Sequence, residues 1–140
     1  MIYKPNQSGS KDLPETDPRF PSGKWTGFYL QPQIHYGRCW MQLFLRFSEG
    51  KISGEGQDIE GAFFLRGKYD LDEGEVWFQK HYRGWHVYYK GLHTRKAISG
   101  LWHLPLDRGT FLVWHESTND PTIRRLRAEA EVPVVVVAVK

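Results

Sequence analysis

Hydrophobic and polar residues alternate with a period of two from Gly23 to about His115, and turn-forming residues interrupt this alternation roughly every 10 to 12 positions. The pattern predicts a meander of short antiparallel strands, because successive side chains of a strand point to opposite faces of its sheet. The connecting segments are rich in Gly, Pro, Asp and Ser, which favour turns. Eight strands are predicted, at residues 24–33, 38–47, 51–57, 61–69, 75–82, 85–91, 96–103 and 109–115.

Eight strands joined only by short hairpins leave two exposed sheet edges unless the first strand pairs with the last. Closure into an up-and-down barrel removes both edges. A two-sheet sandwich is the alternative, but its strands need longer crossovers than these connectors provide. The sequence therefore predicts an all-β fold, an eight-stranded antiparallel up-and-down barrel over residues 23–115.

The turn at residues 83–84 indicates which face of the sheet is the interior. A two-residue loop there pairs Lys80 with Val87, and a following loop at residues 92–95 pairs Tyr89 with Ile98 and Val87 with Gly100. Alternation then puts mainly large apolar side chains and glycines on one face. The predicted inward residues are Trp25, Gly27, Tyr29, Leu43, Leu45, Phe47, Ile52, Gly54, Gly56, Asp58, Phe63, Leu65, Gly67, Tyr69, Val76, Phe78, Lys80, Tyr82, Val87, Tyr89, Ile98, Gly100, Trp102, Phe111, Val113 and His115.

The residues after the barrel predict a cover for part of its outer face, which still carries aromatic and aliphatic side chains. Asp120-Pro121 is a helix-start signal, and Ile123 and Leu126 fall on one apolar stripe of the helix that follows. Residues 132–139 include six valines and no charge, and they predict an additional strand. That strand either folds back over its own barrel or pairs with the same segment of a second copy. We expect the second arrangement, and hence a homodimer.

Composition sets the class of protein and its compartment. The chain has 140 residues, of which 40% are hydrophobic, and no apolar run approaches the length of a transmembrane helix. Residues 1–22 contain four prolines and predict an unfolded leader that lacks the apolar core of a secretory signal, so a cytoplasmic location is expected. The predicted organisation is a leader (1–22), a barrel (23–115) and a C-terminal helix and strand (116–140).

Charge is modest in total and uneven along the chain. The 19 Lys plus Arg and 16 Asp plus Glu give a formal net charge of +3. Residues 49–75 carry eight acidic and three basic residues, and residues 80–108 carry one acidic and six basic residues. Oppositely charged strands of one sheet favour pairing across a solvated face over a phosphate-binding surface. No nucleic-acid partner and no membrane partner are therefore expected.

A family resemblance rests on glycines, aromatics and charges at fixed spacings. Gly23-Lys24-Trp25 heads the first strand and matches the G-x-W motif of lipocalin-like and fatty-acid-binding barrels, the calycin group. The spaced motifs that follow are Gly54-x-Gly56-x-Asp58-x-x-Gly61-x-Phe63, Gly67-x-Tyr69, Lys80-x-Tyr82, Tyr89-x-Gly91 and Gly100-x-Trp102. This set is similar to a small lipocalin-like barrel of uncharacterised microbial and plant proteins, and it resembles the substrate-receptor barrel of certain F-box proteins.

The resemblance covers residues 23–115 and implies a binding role without catalytic activity. No F-box segment occurs within the 140 residues, so the resemblance implies no ubiquitin-ligase role.

Two charged residues, Asp58 and Lys80, stand among the predicted interior positions. A buried ion costs several kcal/mol unless it is paired, so the two are expected to meet each other or a ligand. One interpretation is a structural pair near one rim, with Tyr82 and Tyr89 supplying hydrogen bonds. The other is a polar anchor for a ligand carboxylate or a peptide terminus, with Lys80 as the cation. Both stay open.

The inward glycines, the inward His115 and three histidines on the outer face are the remaining candidate site residues. The glycines either allow strong barrel curvature or leave a small pocket lined by aromatics. His115 is inward and either ligates haem or bonds to a core neighbour, whereas His81, His86 and His103 share an outer surface with a weak resemblance to a zinc site. No metal and no cofactor are predicted. The candidate ligand-binding residues are Asp58, Lys80, Tyr82, Tyr89, Trp102 and His115.

No G-x-S-x-G, H-E-x-x-H, Walker or Rossmann motif occurs, and the single cysteine, Cys39, has no motif partner. The sequence therefore predicts a binding protein that holds a small apolar or amphipathic molecule in a lipocalin-like barrel. The alternative is a protein- or peptide-interaction module that uses the barrel rim, and an enzyme built on Asp58, Lys80 and the tyrosines is a third class. An interior void of a few hundred cubic ångströms favours the first function, and a filled interior favours the second.

Overall fold

The computed structural model describes residues 13–94 and 96–131. Within these ranges the chain forms eight strands and one helix. They are β1 (Gly23–Leu30), β2 (Arg38–Ser48), β3 (Lys51–Asp58), β4 (Gly61–Tyr69), β5 (Glu75–Tyr82), β6 (Trp85–Thr94), β7 (Ala97–Leu104), β8 (Asp107–His115) and α1 (Pro121–Glu131). Each strand pairs antiparallel with the next, and β1 pairs with β8 to close the barrel. The predicted eight-stranded up-and-down barrel is confirmed.

The strand register agrees with the predicted one at the first of the two hairpins and differs at the second. Lys80 pairs with Val87, as predicted. Strand β6 continues to Thr94, however, so Tyr89 pairs with Trp102 and the predicted pairing of Tyr89 with Ile98 is wrong. The predicted pairing of Val87 with Gly100 is wrong for the same reason, because Gly91 takes that place. The pairing is shifted by four residues, an even number, so every side chain stays on its predicted face, since the alternation has a period of two.

Two inward glycines show how closely neighbouring strands approach each other. A Cβ atom added to Gly67 or Gly100 would lie 2.0 Å from the carbonyl oxygen of a residue on the neighbouring strand, Trp77 or Lys90 respectively. No side chain fits at that separation, so the close approach of the strands requires glycine at these two positions.

The two ends of the barrel differ, and we call them the mouth and the floor. The mouth carries the turns β1–β2, β3–β4, β5–β6 and β7–β8, and the floor is the opposite end. From the floor upward the interior is filled by one core, in which side chains such as Trp25, Phe47 and Val76 are at most 1% exposed. The core ends near the mouth at the level of Lys80.

Residues 13–22 close the floor, where the sequence predicted an unfolded leader. The Phe20 side chain is fully buried, and its ring lies 5.0 Å from the ring of Tyr69 and 5.5 Å from those of Phe47 and His93. The backbone N–H of Glu15 donates to the carbonyl oxygen of Phe47 at 2.9 Å. This part of the chain is therefore folded against the barrel, while residues 1–12 lie outside the described residues.

Helix α1 covers part of the outer face, as predicted. Asp120 caps its first turn by accepting the backbone N–H of Thr122 at 2.9 Å. Ile123 and Leu126 are buried against a cluster that includes Trp114, which has no exposed surface. The helix has 11 residues, and no helix in the described part of the chain is long and apolar enough to cross a membrane.

The far end of α1 lies at the mouth, because Glu129 forms an ion pair with Arg38, the first residue of β2. The predicted strand at residues 132–139, and the homodimer that depends on it, lie outside the described residues.

Replacement of Phe20 tests whether the floor segment belongs to the folded domain. We expect Phe20→Ala to lower the free energy of unfolding by about 3 to 5 kcal/mol, because it empties a fully enclosed site. Leu13→Ala, in the same segment at 67% exposure, is the matched control and should change it by less than about 0.5 kcal/mol. Urea denaturation followed by circular dichroism measures the free energy of unfolding of both variants. Equal small changes would show that residues 13–22 contribute nothing to stability.

Candidate functional site

A pocket of about 210 Å³ opens at the mouth, above the filled core. Its walls come from inward positions of β1, β5, β6 and β7 and from the turns that join the strands there. Its lining residues are Tyr29, Gln31, Ile34, Glu60, Lys80, Tyr82, Trp85, Val87, Tyr89, Trp102 and Leu104. The lining is mostly aromatic and aliphatic with a few polar groups, a composition common in small-molecule sites.

The structure brings Asp58 and Lys80 together beneath this pocket. Lys80 lies inward on β5, Asp58 is the last residue of β3, and their side chains approach to 2.7 Å between Nζ and Oδ2. The two side chains are 1% and 0% exposed. Each charge therefore depends on the other, because a single buried ion would have neither water nor a counterion.

Four aromatic rings surround the Lys80 ammonium. The distances from Nζ to the ring centroids are 4.5 Å for Tyr29, 4.9 Å for Phe63, 5.0 Å for Tyr89 and 5.3 Å for Tyr82. The negative faces of such rings attract a cation and replace part of its lost hydration. Burial lowers the pKa of Lys80, and the Asp58 carboxylate opposes that shift.

The Asp58 carboxylate has partners for both of its oxygens. Oδ2 accepts from Lys80 and from the hydroxyl of Tyr82, and Oδ1 accepts the backbone N–H of Glu60 at 2.8 Å. Burial and the hydrogen bond to Asp58 raise the pKa of Tyr82. The Lys80 ammonium has three N–H groups, of which Asp58 takes one and the sulfur of Met41 lies 3.8 Å away as a weak acceptor for a second. One N–H is left facing the rings.

Tyr29 supplies a second polar group without a partner. Its side chain is 5% exposed, and its hydroxyl has no hydrogen-bond partner among the described residues. The thiol of Cys39 lies near it but is a weak acceptor at best. Burial raises the pKa of Tyr29, so the hydroxyl keeps its proton and is available as a donor to an oxygen atom in the pocket.

Tyr89 and Trp102 form the wall of the pocket on β6 and β7. Tyr89 stacks on Phe78 with ring centroids 4.7 Å apart, and burial raises its pKa. The indole Nε1 of Trp102 donates to the carbonyl oxygen of Leu30 at 3.0 Å, which holds this ring against Tyr29. The indole N–H is therefore already used.

His115 is the candidate residue that the structure places elsewhere, at the floor of the barrel. Its Nε2 lies 3.1 Å from the carbonyl oxygen of Ser22, which only accepts, so the proton is on Nε2. Its Nδ1 accepts the backbone N–H of Ser117 at 3.1 Å. Both ring nitrogens are thus engaged, as in the hydrogen-bonded alternative to a haem ligand.

The three outer histidines do not form a common site. The rings of His81 and His86 are 5.2 Å apart, whereas His103 stacks on Tyr88, which separates it from His86. Among residues 13–94 and 96–131 no cluster of three metal-ligating side chains occurs.

Sequence reasoning missed several lining residues, above all Tyr29, Gln31 and Trp85. Tyr29 was predicted to point inward, but nothing in the sequence indicates that it lies level with Lys80. Trp85 stacks on Tyr82 with ring centroids 4.3 Å apart, and their pairing across the predicted hairpin was the one available signal. Gln31 follows β1 and donates to Asp107 at 2.8 Å, a contact between residues far apart in the chain.

No known family model, curated protein or solved structure matches this chain. The fold and the site therefore define the protein by architecture: a closed eight-stranded antiparallel β-barrel with an aromatic pocket at its mouth. The closed barrel is compatible with the lipocalin-like barrel that the resemblance in the sequence implied.

Substitutions in the buried pair test whether the two charges depend on each other. We expect Lys80→Met to lower the free energy of unfolding by about 3 to 5 kcal/mol, because it leaves the Asp58 carboxylate buried without its cation. The double change Asp58→Leu with Lys80→Met removes both charges and should cost clearly less than the single change. Denaturant titration of the three proteins measures this, and equal losses in both variants would contradict the coupling.

The buried tyrosines predict instability at alkaline pH. Burial raises the pKa of Tyr69 to about 12 and raises the pKa values of Tyr29, Tyr82 and Tyr89 as well. Because folding raises these values above the unfolded value of 10.0, their stabilisation is complete below pH 10 and is lost as the pH rises through the folded values. The lowered pKa of Lys80 has the opposite effect, because it makes the folded state more stable as the pH rises. This gain ends at the unfolded value of 10.5.

Ultraviolet absorbance of tyrosinate, recorded together with circular dichroism, measures this effect. We expect the four buried tyrosines to form tyrosinate in a cooperative step that coincides with loss of the β signal. Ionisation of all the tyrosines while the β signal persists would contradict the burial of their hydroxyl groups.

Proposed function

We propose that this protein binds a small amphipathic molecule in the mouth pocket, with the apolar part of the ligand against the aromatic wall and an acceptor oxygen at the base. The observation that carries the proposal is the pair of unused donors at that base. Among the described residues, the Tyr29 hydroxyl has no hydrogen-bond partner and one N–H of the Lys80 ammonium has no acceptor. Buried donors without acceptors are costly, so an oxygen atom from a ligand would be stabilising there.

The size of the pocket limits the ligand. At about 210 Å³ it is smaller than the roughly 300 to 1,000 Å³ typical of sites for drug-sized molecules. A compact ligand of about one ring with a polar substituent suits this volume. The filled core below Lys80 leaves no room for a long chain to extend towards the floor.

Charge limits the ligand further. The Lys80 cation and the Asp58 anion neutralise each other, so the base of the pocket carries donors but little net charge. A carbonyl, phenol or single carboxylate oxygen is therefore favoured over a strongly anionic group such as phosphate. An enzymatic role is less well supported, because Asp58, Lys80 and Tyr82 are already bonded to one another.

Native mass spectrometry of freshly purified protein is the direct test, because it reports any small molecule carried from the cell. 4-Nitrophenol is a defined probe, being a single ring with acceptor oxygens whose absorbance changes on binding. We expect Tyr29→Phe to weaken binding of this probe about tenfold, the effect of losing one buried hydrogen bond. The variant should be as stable as the wild type or more so, since the hydroxyl it removes has no hydrogen-bond partner among residues 13–94 and 96–131.

Tyr36→Phe is the matched control, because Tyr36 is fully exposed in the β1–β2 turn and its hydroxyl should be irrelevant to binding. Val87→Trp, which fills the pocket from β6, should abolish binding. Unchanged affinity in both the Tyr29 and the Val87 variants would place the probe elsewhere and overturn the proposal.

A further inference from the structure

Large apolar side chains project into solvent at or beside all four turns of the mouth. We call this set the mouth crown. Its members are Ile34 (66% exposed) and Tyr36 (107%) in the β1–β2 turn, Ile59 (67%) in the β3–β4 turn, Trp85 (43%) beside the β5–β6 turn and Leu106 (100%) in the β7–β8 turn. Scattered exposed apolar residues are ordinary, but a ring of them around the opening of a pocket is not.

The floor has a different character. Among the described residues, its turns and connections carry eight acidic residues and two basic ones. The acidic residues are Glu15, Asp17, Glu49, Asp70, Asp72, Glu73, Glu116 and Asp120, and the basic ones are Arg19 and Lys96. Leu13 and Leu71 are the large apolar residues exposed among them. The barrel is therefore polarised, with an apolar mouth and an acidic floor.

Two arginine side chains lie near the mouth crown. Three acidic groups near the mouth are engaged, since Glu60 pairs with His35, Asp107 accepts from Gln31 and Glu129 pairs with Arg38. Arg83, in the β5–β6 turn, and Arg108, at the start of β8, form no ion pair within the described residues. Both guanidinium groups are free to meet anions approaching the mouth.

We propose that the mouth docks on the surface of an anionic lipid bilayer, with the crown side chains in the interfacial layer and with Arg83 and Arg108 at the lipid phosphates. Trp, Tyr and aliphatic side chains are stabilised in that layer, and basic residues are attracted to anionic headgroups. The acidic floor points away from the membrane, so the charge distribution orients the barrel mouth first.

The shape of the crown favours a bilayer over a protein partner. Its five members are spread over four separate turns, so a rigid partner would need matching hollows at four places around the opening. A fluid interface needs no such complementarity. In this orientation the pocket opens onto the lipid, and an amphipathic ligand would pass between them without crossing water. The docking itself does not require that ligand.

Vesicle cosedimentation with the full chain tests the proposal, using phosphatidylcholine vesicles with and without phosphatidylglycerol. We expect binding to the anionic vesicles, and at least a tenfold loss of affinity when Tyr36→Asp and Leu106→Asp are combined, since neither residue lines the pocket. Leu101→Asp, on the barrel wall at 60% exposure, is the matched control and should leave binding unchanged. Arg83→Gln with Arg108→Gln should weaken binding to anionic vesicles and reduce its salt dependence.

Several outcomes would overturn the proposal. They are the absence of vesicle binding, an equal loss of vesicle affinity in the Leu101 control, or a loss of vesicle binding in Val135→Asp while the crown variant still binds. Sedimentation velocity that shows crown-dependent self-association without vesicle binding would instead identify the crown as a protein interface. Titration of each variant with 4-nitrophenol keeps the two proposals separate, because the crown substitutions should leave affinity for that probe unchanged.

Discussion

The buried pair of Lys80 and Asp58 is the interaction on which the upper half of the barrel depends. It joins β5 to β3 across the interior, with 2.7 Å between Nζ of Lys80 and Oδ2 of Asp58, where neither charge is exposed to water. The four rings around the ammonium and the hydroxyl of Tyr82 on the carboxylate offset part of the cost of desolvation. The same pair marks the level at which the apolar core ends and the pocket begins.

Polarity along the barrel axis follows from how its two ends are covered. Phe20 and its neighbours fill the floor, whereas the unpaired hydroxyl of Tyr29 lies at the mouth. His115 illustrates the difference, because at the floor both of its ring nitrogens find partners. A group such as the Tyr29 hydroxyl, left without a partner near an opening, is where a ligand has something to contribute.

Much of the fold could be predicted from the alternation of residues. The strands, the inward set and the capped helix follow from periods of two and 3.6. Even the wrong register at β6–β7 preserved the faces, because it was wrong by four residues, an even number. The floor segment could not be found in this way. Phe20 is one aromatic residue among prolines, and a single buried anchor has no periodicity.

The sequence by itself determined which side chains face inward, because alternation is a local property of each strand. Only the tertiary structure decided which inward residues share a level. Tyr29 and His115 both face the interior, yet one lies beside Lys80 and the other at the floor. The mouth crown, likewise, unites residues from 34 to 106 that no local pattern connects. The height of each residue along the barrel axis, and the end of the barrel at which it lies, are set by the closure of β1 on β8 and by the stagger of the strands. Both depend on pairings between distant parts of the chain.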